Sequence, residues 1–326
     1  MLNPRAADLR LCPVQLYYDE TMDDARIKPI SEKPTRSPLA RPSTPLDAPV
    51  SWPRSALLFG REHQTLGALA AIGEGAVAIT LSRGGFAKQY EHTESNEDAS
   101  CFAYGPRGAF VAVADGHHGA SGAQTAIQFL ANEWAPRWLV RSESQNPDQW
   151  IKESRQALAD VNQAVLAEAA QRDYPPAPTT LAFAVFSEAS NQIAWAGIGD
   201  SHIFASSTEE TQDWLGKALS EKRRRFLGYE KLTLESLAEH SGSGICPSTS
   251  LRAIVLATDG LSEPQIGVAD PAAAIAESVE QSRSVPWDRR ALELARQVSG
   301  VAMRAHQQQK AGDNIATAAL WLEHES

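Results

Sequence analysis

Asp115, Asp200 and Asp259 each stand at the end of a short apolar run and Asp313 just ahead of one, the places where a sheet can bring carboxylates together. Residues 110–119 read Phe-Val-Ala-Val-Ala-Asp-Gly-His-His-Gly, a buried-strand pattern running into a carboxylate, a glycine and two imidazoles. Residues 253–260 (Ala-Ile-Val-Leu-Ala-Thr-Asp-Gly) repeat the form, and residues 195–200 (Trp-Ala-Gly-Ile-Gly-Asp) vary it. Residues 312–317 (Gly-Asp-Asn-Ile-Ala-Thr) reverse it, with the aspartate ahead of the strand. Asn96, Glu97 and Asp98 add two carboxylates before a further alternating run. Carboxylates converging from strand ends are hard oxygen ligands of the kind magnesium and manganese prefer; zinc would ask for cysteines or several histidines. A lone Asp-Gly is a common turn dipeptide whose aspartate needs only to cap the turn. Several unpaired carboxylates closing on one point would repel, so the joint pattern points to a cation centre.

The elements that must position these residues are legible in outline. Residues 76–81 read as the first core strand, and residues 98–104 as a strand paired with 110–114 across the turn at 105–108. Residues 119–140 have helical periodicity through Ala123, Ile127, Leu130, Trp134 and Trp138. A second helix at 150–170 carries Ile151, Leu158, Val161 and Val165 on one stripe. After a proline-rich break at 172–178 come strands at 179–186 and 192–196, joined by a hairpin turn at 188–191, and a continuation at 201–204. Residues 251–258 are strand, 259–268 loop, 271–279 and 287–307 helix, and 315–322 a closing strand. Strands, two helices, then a run of strands imply an α+β arrangement of sheets flanked by helices.

The remainder is less regular. Residues 14–18 form a short edge strand in this reading. Pro29, Pro34, Pro38, Pro42, Pro45, Pro49 and Pro53 deny both helix interior and central strand to residues 21–53. Residues 1–60 are therefore expected to be an extended or partly disordered arm, and residues 61–326 one domain. Residues 206–250 are the hardest to read. Residues 221–225 (Glu-Lys-Arg-Arg-Arg) are a basic cluster that is either solvated or a contact for an anionic substrate. Residues 240–244 (His-Ser-Gly-Ser-Gly) read as a flexible loop able to cover a site.

Composition sets the outer bounds. The 326 residues are 43% hydrophobic, ample for a sizeable core, and carry a net charge of −10, which argues against a general affinity for nucleic acid or anionic membrane. Three cysteines (Cys12, Cys101, Cys246) are too few and too scattered for a disulfide framework or a zinc knuckle. There is no basic-then-apolar leader, and no apolar run approaches the roughly 18 residues of a spanning helix. The expectation is a cytoplasmic protein.

The ordered set Asn96-Glu97-Asp98, Asp115-Gly116-His117, Thr179-Thr180, Gly199-Asp200-Ser201, Asp259-Gly260 and Asp313-Asn314 resembles the metal-dependent protein serine/threonine phosphatases of the 2C type, in a compact, bacterial-looking form. The likeness covers roughly residues 70–322. It implies a four-layer sandwich, two central antiparallel sheets flanked by helices, with metals at one end between the sheets. It further implies that Asp115 bridges two Mg²⁺ or Mn²⁺ ions and that Asp259 and Asp313 complete the ligands of the first. The Gly116 carbonyl would ligate the second ion, with Glu97 and Asp98 holding that side directly or through waters. Asp200 would help bind a looser third ion, and His117 would be the general acid. The implied activity is hydrolysis of phosphoserine and phosphothreonine in a phosphorylated protein, opposing a kinase, by a monomer. The chemistry fits independently: two ions about 3.5–4 Å apart can ionise a bridging water and clamp phosphoryl oxygens, and an imidazole near its reference pKa can protonate a serine alkoxide. Thr179 and Thr180 match the family's hydroxylated strand start, or are ordinary β-branched strand residues.

Three positions depart from the pattern. Thr93 stands where eukaryotic members place a phosphate-binding arginine, leaving Lys88 or His92 as substitutes. His118 replaces a glycine. The segment between Asp200 and Asp259, 259 − 200 = 59 positions, is short for the family's substrate-facing flap. These departures keep two other readings open: a regulatory or binding module with little turnover, and a phosphatase for small phosphoesters.

Overall fold

Apolar runs of six or seven residues form most of the strands, and several are buried along their whole length because both of their faces are covered. The computed structural model describes residues 16–18, 54–90, 92–141, 146–172 and 177–323; the proline-rich stretch at 21–53 lies outside the described residues. In chain order the strands are β1 (Leu16–Tyr18), β2 (Arg54–Phe59), β3 (Leu69–Glu74), β4 (Val77–Ser82), β5 (Ala99–Gly105), β6 (Gly108–Ala114) and β7 (Leu181–Ser187). They continue as β8 (Gln192–Ile198), β9 (His202–Ser207), β10 (Thr211–Asp213), β11 (Ser241–Pro247), β12 (Leu251–Ala257) and β13 (Ile315–Trp321). The helices are α1 (Ser121–Phe129), α2 (Ala135–Leu139), α3 (Pro147–Arg172), α4 (Trp214–Leu219), α5 (Leu234–His240), α6 (Pro271–Ser282) and α7 (Trp287–Gln309).

One sheet has the order β1-β3-β4-β13-β12-β9-β10 and the other β11-β8-β7-β6-β5-β2, every pairing antiparallel. Alternation along each strand divides the side chains between cores. Val77, Ile79, Leu81, Ile254 and Leu256 of the first sheet meet Val111, Val113, Ala182 and Ala184 of the second in the central core. On the outer face of the second sheet, Phe110, Ala112 and Phe183 pack with Ile127, Trp138, Trp150 and Leu158 of the helices. On the outer face of the first, Val255, Ala257 and Trp321 pack with Ile275, Val279, Leu294 and Val298 of α6 and α7. The result is the expected helix–sheet–sheet–helix sandwich.

Four local expectations change. Residues 76–81 do not open the sandwich: β2 and β3 precede β4, and β2 lies within the stretch read as an arm, hydrogen-bonded to β5 from Arg54↔Tyr104 to Phe59↔Ala99. Residues 240–244 are not a covering loop, because Ser241–Pro247 forms edge strand β11 against β8. The Gly-Ser composition there answers to packing, since a Cβ at Gly244 would sit 2.8 Å from the Trp195 ring. The helix read at 119–140 is interrupted by a π-turn at Leu130–Trp134, just before Pro136, whose missing N–H and bulky ring prevent an unbroken α-ladder. The basic cluster at 221–225 is tied down rather than simply solvated: Lys222 Nζ donates to the Ser241 carbonyl at 2.6 Å, Arg225 pairs with Glu230, and Arg224 reaches Asp200. Among the described residues no helix is long and apolar enough to cross a membrane.

Candidate active site

Antiparallel pairing brings the chemistry to one edge of the sandwich. In the second sheet β5 starts immediately after Asp98 and its neighbour β6 ends immediately before Asp115. In the first sheet β12 runs out through Thr258 to Asp259, and its neighbour β13 starts after Asp313 and Asn314. Asp200 lies where the chain crosses from β8 in the second sheet to β9 in the first. The crossing turns on Gly199, with φ of 100° and a Cβ-equivalent position only 2.6 Å from Thr180 Cγ2, so no other residue fits there without strain.

Hydroxyl and amide side chains fix these ends. The Asp115 N–H donates to Thr180 Oγ1 at 2.9 Å, and Thr179 Oγ1 donates to the Asp115 carbonyl at 2.8 Å. Thr180 Oγ1 also meets Ser201 Oγ at 2.7 Å, tying Asp115 to the residue after Asp200. The two threonines thus hold the Asp115 backbone, which an ordinary strand role does not describe. Thr258 Oγ1 donates to Asp98 Oδ2 at 2.7 Å and accepts from the Ala316 N–H at 2.9 Å, joining the two sheets at the site. Asn314 accepts from the Glu97 N–H at 2.9 Å and donates to the Ser95 and Arg83 carbonyls at 3.0 and 3.2 Å. Gly116 bridges to Thr179, and a Cβ on it would lie 2.4 Å from the Glu97 carbonyl oxygen.

Asp115, His117 and Asp200 offer ligand atoms all within 4.8 Å of one another. His117 Nε2 is 3.6 Å from Asp115 Oδ2, and its ring packs edge-on against Phe226 with centroids 4.6 Å apart. Asp98, Asp259 and Asp313 are the charge neighbours of Asp115. Burial, then the carboxylates of Asp259, Asp98 and Asp313, raise the Asp115 pKa well above the ordinary range; burial, then Asp313 and Asp200, do the same to Asp259. Burial pushes Asp98 up to about 7 despite the opposing pull of Lys88. Burial also lowers the His117 pKa against the pull of Asp200. Buried Asp98 Oδ1 and Asp200 Oδ1 have no hydrogen-bond partner. Orphaned carboxylate oxygens amid mutually repelling carboxylates are a donor set that fits hard divalent cations. Glu97 differs from the others: its Oε1 accepts from the Thr93 and Glu94 N–H groups at 3.1 and 3.0 Å, so it closes its own loop.

The departures from pattern now have a geometry. His118 is exposed and adopts the left-handed conformation, φ 63°, that a glycine would take without cost. Arg224 Nη1 is 3.2 Å from Asp200 Oδ2, placing one residue of the basic cluster at the carboxylates. Of the two proposed substitutes for the absent arginine, His92 turns Nδ1 to the Tyr90 carbonyl at 2.9 Å. Lys88 instead enters the site, with Nζ 3.0 Å from Asp313 Oδ1 and 3.8 Å from Glu97 Oε2. Burial lowers its pKa, but Asp313, Asp98 and Asp115 outweigh that and raise it. Sequence reasoning missed His306, which is fully buried, accepts from the Gly85 N–H at 3.3 Å and donates to the Gly260 carbonyl at 2.7 Å, beside Asp259. A histidine on the apolar stripe of a long helix was the available signal.

The sequence profile of protein phosphatase 2C matches residues 87–316. Comparison with curated proteins gives no sequence match. Solved structures with the same fold include the serine-threonine phosphatase 2C from Toxoplasma gondii, 15% identical, with a TM-score of 0.56 over 83% of this chain and 100% of that one. The Mycobacterium tuberculosis serine/threonine phosphatase PstP/Ppp is 21% identical, with a TM-score of 0.53 over 76% and 98%. A catalytic domain of PstP in complex with two manganese ions is 20% identical, with a TM-score of 0.52 over 78% and 100%. The two-sheet sandwich, the carboxylates gathered at one of its edges and a profile match spanning most of the chain together make this chain a member of the protein phosphatase 2C family.

Proposed function

We propose that this chain hydrolyses phosphoserine and phosphothreonine in proteins with the help of two divalent ions, Mg²⁺ or Mn²⁺, and a third, weaker one near Asp200. The observation that carries the reading is the meeting of Asp115, His117 and Asp200 ligand atoms within 4.8 Å, at the edge where Asp98, Asp259 and Asp313 also end. Asp115, Asp259 and Asp313 would hold one ion, and Asp115, the Gly116 carbonyl and Asp98 the other, with Glu97 acting through the loop it closes. When bound, the ions would make a water acidic enough to ionise, giving a hydroxide nucleophile near neutral pH, and would supply positive charge for the phosphoryl oxygens.

The chain's own residues do the rest. Thr179 and Thr180 hold Asp115 in place, and Thr258 and Asn314 lock the second carboxylate loop against the first sheet. His117 sits 3.6 Å from Asp115 and packs on Phe226; burial lowers its pKa while Asp200 opposes that, and in its protonated form its Nε2–H would pass a proton to a departing serine oxygen. The substrate class is a phosphorylated protein made by an opposing serine/threonine kinase, and the enzyme acts as a cytoplasmic monomer.

The test is turnover of a phosphothreonine peptide with and without Mn²⁺, beside Asp115→Asn. Metal-dependent activity that falls at least a hundredfold in the variant, with its thermal unfolding intact, is the expected result. Activity that survives the substitution sinks the centre. Mn²⁺ binding without turnover would favour a regulatory module, a reading supported by Thr93 standing in place of the arginine.

A further inference from the structure

Lys88 is a feature of the centre that the family pattern quoted above does not include, and its setting is built by the fold. The segment leading to it packs directly on the segment leading to Asp313. Gly84, at φ 108°, has its Cβ-equivalent position 2.1 Å from the Asp313 carbonyl oxygen, and that of Gly312 lies 1.7 Å from the Phe86 carbonyl oxygen. The Gln89 amide donates to the Lys310 carbonyl at 2.6 Å. Pinned between these contacts, the Lys88 side chain is only 4% exposed, and its ammonium lies 5.2 Å over the Tyr90 ring. It points at carboxylates: Asp313 at 3.0 Å and Glu97 at 3.8 Å, with Asp98 and Asp115 also within its electrostatic reach.

A lysine that clamps substrate phosphate must present its ammonium to the solvent side of the centre, as a strongly hydrated point charge reaching outward. This one is withdrawn from solvent and committed to Asp313. We propose that Lys88 is a resident cation of the carboxylate centre, supplying one fixed positive charge beside Asp313 with which a divalent ion must compete. The inference rests on the metal-centre reading above and adds to it: the chain trades some affinity for its ion against a centre that stays folded without one. An ammonium 3.0 Å from a ligand carboxylate weakens the pull of that carboxylate on an incoming cation, and deleting the ammonium leaves the carboxylates repelling one another.

The experiment is calorimetric titration of Mn²⁺ into the metal-free wild-type protein, Lys88→Met and Lys88→Arg at one pH, with metal-free melting temperatures measured alongside. Lys88→Met is expected to bind Mn²⁺ on the order of tenfold more tightly and to melt lower without metal, while Lys88→Arg tracks the wild type in both. A Lys88→Met protein that folds only when Mn²⁺ is supplied supports the same conclusion, because the divalent ion then replaces the missing charge. If methionine prevents folding altogether, Lys88→Gln repeats the titration with the same expectation. Inorganic phosphate affinity in the presence of Mn²⁺ separates the rival role: a phosphate clamp would lose it in Lys88→Met, whereas a resident cation leaves it unchanged. Equal or weaker Mn²⁺ binding in Lys88→Met overturns the proposal while leaving the metal centre standing. Absence of Mn²⁺ binding in wild type and variants alike overturns both.

Discussion

The carboxylates of the centre titrate in a direction opposite to most acidic groups in a folded protein. Burial and mutual repulsion raise Asp98 to about 7 and Asp115 and Asp259 well above the ordinary range. A group whose folded pKa is raised favours the fold fully below its unfolded value and loses that contribution as pH rises through the folded value. The metal-free protein is therefore expected to lose stability as pH climbs from about 4 past 7, the window set by Asp98. Urea unfolding at several pH values in chelator measures the slope; a metal-free protein that is more stable at pH 8 than at pH 5 would contradict it. His306 makes a second residue-scale case. It joins Gly85 to Gly260, and His306→Ala should cost about 1–3 kcal/mol by stranding a buried N–H and carbonyl. The aspartates of the site were legible because each borders an apolar run. His306 was not, and Lys88 was read only as a substitute for the absent arginine, because each gains its role from a partner more than two hundred residues away, Gly85 for His306 and Asp313 for Lys88.

At the scale of elements, strands with continuous apolar runs were readable and strands made of small residues were not. The runs at 110–114, 253–257 and 315–320 become β6, β12 and β13, each in the middle of its sheet. The glycines and serines of β11 look like a loop because the fact that selects them, the Trp195 ring lying across the strand, is a tertiary contact. Gly244→Val is thus expected to destabilise by about 1–3 kcal/mol through overpacking. Thermal unfolding gives the loss, and hydrogen exchange should locate it in the β8–β11 pairing rather than at the carboxylate edge. The same logic hid β2 and β3: Arg54–Phe59 follows a proline series, and Leu69–Glu74 contains Gly73, so neither stands out from its surroundings.

Across the whole molecule, the central core is common property of the two sheets, with residues of β2, β4, β5, β6, β7, β8, β9, β12 and β13 in one cluster. Neither sheet can open without exposing the inner face of the other, which predicts a single cooperative transition. Tryptophan emission and far-ultraviolet circular dichroism should trace the same urea curve. Because Trp134, Trp138 and Trp150 sit under the helices of the second sheet and Trp321 under those of the first, separate loss of either layer would show as a biphasic emission curve. The layer order was legible from the succession of elements, whereas the pairing of β4 with β13 was not, since no local signal couples residues 82 and 315.

That pairing bears on how the protein comes into being. During synthesis β5 to β8 emerge in an order that lets neighbours pair as they appear, so the second sheet can be substantially formed early. The first sheet cannot, because its middle position between β4 and β12 is reserved for the last strand, whose pairing with Ser82 reaches back 315 − 82 = 233 residues. Such distant closure is slow, and until it happens two hydrogen-bonding edges wait unpaired. Asp313 arrives with β13, and with it the partner of Lys88. A chain lacking β13 therefore holds a half-built, electrically unbalanced centre, which becomes complete only when that strand slots home.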